Sequence, residues 1–180
     1  MARGRQDPLA LLRKIQKDSI QTAPGLPQEV QAAQLWSGVA FRLGDLRLVT
    51  ALDEVTEVLP CPSYTPVPST RSWVKGVANV RGNLITIIDL SEYFGKTAVF
   101  LDDAARLMVM NIPELNAGLL VHEVLGLRHF DEETERQQLP GMDDSVMMHV
   151  KGAFLRDDVL WGEFDMKSLA QNATFLHVAA

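Results

Sequence analysis

The tripeptide Val74-Lys75-Gly76 returns as Val150-Lys151-Gly152, and Asp89-Leu90 returns as Asp165-Met166, both at a step of 76 residues. Between these anchors each copy holds two apolar runs and a turn. The first copy has residues 74–81 and 84–88 across Gly82-Asn83, which has the chemistry of a two-residue hairpin loop. The second has 146–155 and 159–164 across Arg156-Asp157-Asp158. A weaker echo, Leu52-Asp53-Glu54-Val55 against Val121-His122-Glu123-Val124, recurs at a step of 69, so loop lengths differ between copies. Each copy therefore offers about five short strands and one helical turn. Strands of that size avoid open edges by closing into a small barrel. The expected fold is all-β, two five-stranded barrels joined by a long hydrophobic seam, because either alone is too small to bury much.

The strands can be placed individually. Val39, Phe41 and Leu43 alternate with Ala40 and Arg42, the period of a half-buried strand. Gly44-Asp45 turns the chain into a second strand at 46–49. Residues 54–59 make a third with imperfect alternation, which predicts a bulge. Strand 84–88 is apolar on both faces and is expected to be buried on both sides. Asp89 is placed to accept from the backbone at Glu92, with Glu92 reaching back, as in a capping box. The helical turn that follows is expected to end at Gly95. Further strands are expected at 107–112, 119–121 and 124–130, with a polar loop over 131–144.

The segment before Trp36 has a different texture. Asp7-Pro8 opens a short helix carrying Leu9, Leu11, Leu12 and Ile15. Thr22-Ala23-Pro24-Gly25-Leu26-Pro27 then breaks it. We read 1–35 as an N-terminal extension, 36–172 as the paired barrels and 173–180 as a C-terminal tail.

Of the 180 residues, 47% are hydrophobic and 22% charged, the balance of a globular chain. The net charge of −6 argues against nucleic acid as a partner, which would need a basic face. No apolar run reaches the length of a membrane span, and no secretory leader is expected. The single cysteine, Cys61, can neither staple the fold nor build a thiolate zinc site, which fits a reducing cytoplasm. His122, His129, His149 and His177 form no metal-ligand spacing, so no metal or cofactor is expected. The paired acids Asp102-Asp103, Glu132-Glu133, Asp143-Asp144 and Asp157-Asp158 fall at expected turns. Asp89 reads as a helix cap, and methionines such as Met108, Met110, Met147 and Met148 as core filler. Trp36, Trp73 and Trp161 are expected to anchor barrel ends.

Several of these motifs together resemble one family. Phe41-Arg42-Leu43-Gly44, Asp53-Glu54-Val55 and the strand to Leu59, Pro66-Val67-Pro68, Trp73-Val74-Lys75-Gly76, Asn79-Val80-Arg81-Gly82 and Ile87-Ile88-Asp89-Leu90 stand in register. So do Gly118-Leu119-Leu120-Val121 with Glu123-Val124, and the hairpin and helix over 152–169. The pattern over 36–169 is similar to the CheW-like domain, the coupling adaptor of bacterial chemosensory arrays. Leu11-Leu12 with Ser19, residues 23–28 and Trp36-Ser37-Gly38 are similar to the PilI-type adaptors of type IV pilus systems.

That resemblance implies two packed SH3-like barrels and no catalysis. It implies two partners, the CheW-like regulatory domain of a CheA-type histidine kinase and the cytoplasmic tip of a methyl-accepting receptor, with no direct membrane insertion. Carried over by position, Arg81 marks these contacts most strongly, with Asn79 and Gly82 shaping the strand end around it. Val55, Glu57 and Val58 fall on the kinase-facing edge. Val121 and His122 fall near the receptor groove, where His122 replaces a common aspartate. Arginine suits such a role because its fixed charge and five donors can fork onto a carboxylate or carbonyls. A second class of function, a small hydrolase or transferase on a barrel scaffold, would require Cys61, His122 and an acid to converge in one cleft.

Overall fold

The computed structural model describes residues 35–131 and 143–179, which belong to one compact unit. The expected N-terminal helix and most of the loop expected at 131–144 lie outside the described residues.

Ten strands form two five-stranded sheets. β1 (Leu35–Leu43), β2 (Leu46–Ala51), β8 (Glu123–Asp131), β9 (Val150–Arg156) and β10 (Val159–Phe164) make sheet A, in the order β8-β1-β2-β10-β9. β3 (Val55–Pro60), β4 (Val74–Val80), β5 (Asn83–Asp89), β6 (Arg106–Met110) and β7 (Ala117–Val121) make sheet B, in the order β3-β6-β7-β5-β4. Among the described residues, four short α-helices, α1 (Leu90–Tyr93), α2 (Asp144–Met147), α3 (Met166–Gln171) and α4 (Ala173–Leu176), and a 3-10 turn, Leu52–Glu54, complete the unit.

The repeat is present, but its strands are exchanged. β1 and β2 pair with β8–β10, and β6 and β7 pair with β3–β5, so neither sheet is built from one sequence copy. The two sheets have the same plan, each with a single parallel pairing, β10 on β2 and β5 on β7. Neither sheet is closed by a ladder between its edge strands, so the expected barrels are curled sheets. Their interiors are nevertheless filled. Ala78, Ile87, Val99, Ala105, Leu107 and Leu120 pack within sheet B, and Ala40, Val49, Phe130, Phe154 and Trp161 within sheet A. The expected seam is the largest core, where Phe41, Leu43 and Leu48 of sheet A meet Ile88, Met108, Leu119 and Val121 of sheet B.

The repeat anchors have the same job in both copies. Lys75 and Lys151 each sit in a bulge beside a glycine, opposite β5 and β10 respectively. Lys75 Nζ lies 3.8 Å from Asp89, and Lys151 Nζ 3.0 Å from Asp165. The Asp89 N–H donates to Trp73 O and the Asp165 N–H to His149 O, both at 2.8 Å. Each aspartate then caps its helix, Asp89 accepting from Glu92 N at 3.0 Å and Asp165 from Ser168 N at 2.9 Å. The capping box is half formed, because Glu92 turns to Lys75 instead of reaching back. That hydrogen bond holds the Glu92 carboxyl below the usual range. Asp165 is also held low: burial pushes it up, but the Ser168 amide and Lys151 outweigh it.

Other local expectations change in register. The hairpin turn is Arg81-Gly82, not Gly82-Asn83, because Val80 pairs with Asn83. β5 is buried on both faces only in its second half, and Leu84 is 63% exposed. Residues 146–147 are helical, since α2 precedes β9, and Met147 and Met148 are exposed surface side chains. Trp73 lies in the seam, stacked on Phe175. Within the expected C-terminal tail, α4 carries Phe175 into the core, where it is 1% exposed.

Candidate partner-binding site

The curl of sheet B brings its two edges together at the β4–β5 tip. Leu59 of β3 packs beside Val80 of β4 and Ile85 of β5. Arg81 then reaches β3, its Nε 2.6 Å from the Glu57 carboxylate. The turn that aims it is built from the sequence. Arg81 and Gly82 both take positive φ, 51° and 91°, the conformation a tight two-residue hairpin requires. The Asn79 side chain fixes the corner by accepting from Gly82 N at 2.8 Å. Arginine carries a cost in that region that glycine does not.

Arg81 is 82% exposed although Glu57 is only 20% exposed. An ion pair this open contributes on the order of 0.5 kcal/mol. Its role is orientation, since Glu57 holds the guanidinium over β3 while most of its donors stay available. β3 alternates along its length: Val55, Glu57 and Leu59 turn inward, and Thr56, Val58 and Pro60 outward. The bulge expected in this strand lies between Val55 and Glu57. Thr65 covers part of the β4 edge, exchanging two backbone hydrogen bonds with Val77. The outer edge of β3 has no strand partner among the described residues. Glu57, Val58, Asn79, Arg81 and Gly82 thus lie around the β4–β5 tip and the facing stretch of β3, whereas Val55 turns inward and packs against the seam core.

Val121 and His122 lie elsewhere, at the β7–β8 junction. Val121 is 0% exposed and offers no surface to a partner; it packs in the seam core. The His122 Nδ1 accepts from Gly44 N at 3.2 Å, and Arg42 beside it bonds Glu123 at 3.2 Å. Burial pushes the His122 pKa down and Arg42 adds to this, against the opposing pull of Asp89 and Asp102. The ring is a neutral clamp between the β1–β2 turn and β8.

Cys61 does not meet His122. It lines a cavity of about 360 Å³ with Pro60, Pro62, Leu101, Asp102, Asp103, Ala105 and Arg106. Burial pushes its thiol up, the opposite of an activated nucleophile. Glu54 is a carboxylate that the sequence reading assigned no role. It is 2% exposed and joins β2 to α3 through Thr50 and Met166. The available signal was an acid set directly before a half-buried strand.

The family model for the CheW-like domain matches residues 37–174. Protein PilI of Pseudomonas aeruginosa is 40% identical over 174 residues, covering 97% of each chain. Protein FrzA of Myxococcus xanthus is 35% identical over 59% of this chain and 66% of its own. The scaffolding protein TtCheW from Thermoanaerobacter tengcongensis superposes with a TM-score of 0.64 at 26% identity, over 72% of this chain and 88% of that one. With the exchanged five-stranded sheets and the Asn79–Gly82 tip, these likenesses place the chain in the CheW-like family of chemosensory adaptors.

Proposed function

We propose that this protein is a non-catalytic adaptor coupling methyl-accepting receptors to a CheA-type histidine kinase, in an array that governs type IV pili and twitching motility. The observation that carries this reading is the 40% identity to protein PilI across 97% of both chains. Among the described residues no helix is long and apolar enough to cross a membrane, which suits an adaptor recruited to receptor tips from the cytoplasm.

The kinase regulatory domain docks along the open edge of β3, with outward Val58 supplying apolar contact and half-buried Val55 behind it. Arg81 presents its guanidinium beside that edge, steered by Glu57 and by the Asn79–Gly82 corner. The receptor tip lies in the groove that His122 borders. Coupling is geometric: an adaptor holding both partners transmits a receptor shift as a change in kinase populations. Residues 1–35 are an extension ahead of this module.

The test is a three-component pull-down with purified kinase regulatory domain and receptor cytoplasmic fragment. Wild type is expected to retain both. Arg81→Glu is expected to lose binding while keeping its melting temperature. Unchanged capture of both partners by Arg81→Glu would remove Arg81 from the interface.

A further inference from the structure

Sheet A has a mouth of its own, and its charge differs from that of sheet B. Four strands send an inward-facing pair of residues, spaced two apart, toward it. Val49 leads to Arg47 on β2, Phe130 to Arg128 on β8, Phe154 to Arg156 on β9, and Trp161 to Val159 on β10. The inner member of each pair belongs to the buried cluster of sheet A. Since alternate residues of a strand share a face, the three arginines extend the core rows to the rim.

Trp161 closes this mouth and is 7% exposed. The guanidinium carbons of Arg47 and Arg128 lie 5.9 and 5.6 Å from its ring centroid, in the cation–π range. Arg128, Arg156, Asp157, Val159 and Trp161 line a shallow pocket of about 100 Å³ there. Arg156 is fixed by donating to the carbonyl of His129, and Asp157 lies 3.7 Å away. Arg47, Arg128 and Arg156 against Asp157 and Asp158 of the β9–β10 turn leave this mouth with one net positive charge in a chain of net charge −6. The corresponding tip of sheet B carries the balanced pair Arg81–Glu57.

Like charges brought to one ring repel, and an arriving anion relieves that repulsion. The pocket is too small and open to enclose an organic ligand. Planar guanidinium forks match carboxylates, and the two arginines stacked on Trp161 are held at one ring. We propose that the Trp161 mouth of sheet A is a second docking surface, which receives a carboxylate-rich segment of a partner protein. It is separate from the Arg81 surface and does not depend on it.

The probe is a ten-residue oligoglutamate peptide, acetylated and amidated, titrated into the full chain at low salt. Binding is read at the Trp161 indole N–H by NMR, assigned through Trp161→Phe. Saturable shifts are expected, weakening with salt as screening grows. Arg47→Ala/Arg128→Ala is expected to bind at least about tenfold more weakly. Arg81→Ala, at the other mouth, is expected to bind as wild type. If the double variant melts early, Arg47→Lys/Arg128→Lys keeps the charge but removes the fork, and weaker binding with an intact fold is again expected. No indole shift, binding by both double variants equal to wild type, or binding to phosphatidylserine vesicles in place of the peptide would each overturn the proposal.

Discussion

Glu54 and Met166 stand 112 positions apart, yet the Glu54 Oε2 accepts from the Met166 N–H at 3.0 Å. The same oxygen accepts from the Thr50 hydroxyl at 2.9 Å, and Lys167 Nζ lies 3.6 Å from Oε1. The carboxylate therefore fastens α3 to the start of β3, across the exchanged halves of the repeat. Removing it as Glu54→Ala strands two buried donors, at a cost of about 2–4 kcal/mol. In a chain of this size that is a drop in melting temperature of about 10 °C. Glu54→Gln keeps an acceptor for both donors and is expected to lose much less. Equal losses by calorimetry would mean that the charge, not the hydrogen bonds, stabilises the junction.

The Arg81–Glu57 pair separates orientation from contact. Arg81→Ala is expected to shift unfolding by under about 1 kcal/mol, because the pair is open to solvent. Its partner affinity is expected to fall by about 2 kcal/mol or more, roughly 30-fold. The exchange Arg81→Glu with Glu57→Arg restores an ion pair but reverses the charge offered outward. It is expected to fold normally and still fail to bind in titration calorimetry. Recovered binding by the double exchange would show that only the internal pair matters.

The fold was legible because both copies keep what curled sheets need: the lysine bulge, the glycine bend and the aspartate cap. The exchange of strands was not, since Val74–Val80 and Val150–Arg156 read alike whichever sheet they join. Only long-range pairing separates the two arrangements. The turn was misplaced by one residue because Gly82-Asn83 has good turn chemistry, whereas Asn79 binds Gly82 N and moves the corner onto Arg81. α2 was read as strand because Val146 and the methionines beside it are apolar, although Met147 and Met148 are exposed. At the site, Arg81 stood out as a cation between buried strands. Its partner Glu57 was found only by position on β3, since curvature brings them together. The three arginines around Trp161 escaped for the same reason, each being ordinary on its own strand.

The two glycines of the β4–β5 hairpin predict an order of damage. A Cβ at Gly82 meets nothing within 4 Å, so Gly82→Ala suffers only from φ of +91°, about 1 kcal/mol. A Cβ at Gly76 would lie 2.3 Å from the Thr65 carbonyl oxygen, with φ of +151°. Gly76→Ala must also push away the Thr65-Pro66 segment that covers β4. It is expected to destabilise by several-fold more in chemical denaturation, and to expose Val77 N–H to hydrogen exchange. Equal effects at the two positions would mean that the Thr65 segment yields freely.

His149 makes stability depend on pH. It is 3% exposed, its Nδ1 shares a hydrogen bond with Ser168 Oγ at 3.1 Å, and its ring lies near Phe94 and Phe164. Nε2 is buried without a partner among the described residues. Burial pushes its pKa below 6.5, and the pull of Asp165 offsets this only in part. His122 shifts in the same direction, also mainly by burial. The sign follows from proton counting. Below pH 6.5 the unfolded chain takes up protons that the folded chain resists, so the unfolded state gains and stability falls as pH drops. Above pH 6.5 both forms are neutral and these histidines contribute no slope. The slope reaches at most about 1.4 kcal/mol per pH unit for each histidine, and it ends once pH passes below the folded pKa. Urea unfolding between pH 5 and 8 is expected to show a plateau above 6.5 and a decline beneath it. His149→Phe keeps a ring in the cavity, and it should flatten most of that decline, with His122→Asn removing the remainder. A decline of the same steepness in the double variant would take the acid sensitivity away from both histidines, and Asp165 and Glu92, whose carboxyls are held low, would add their own loss only further down the scale.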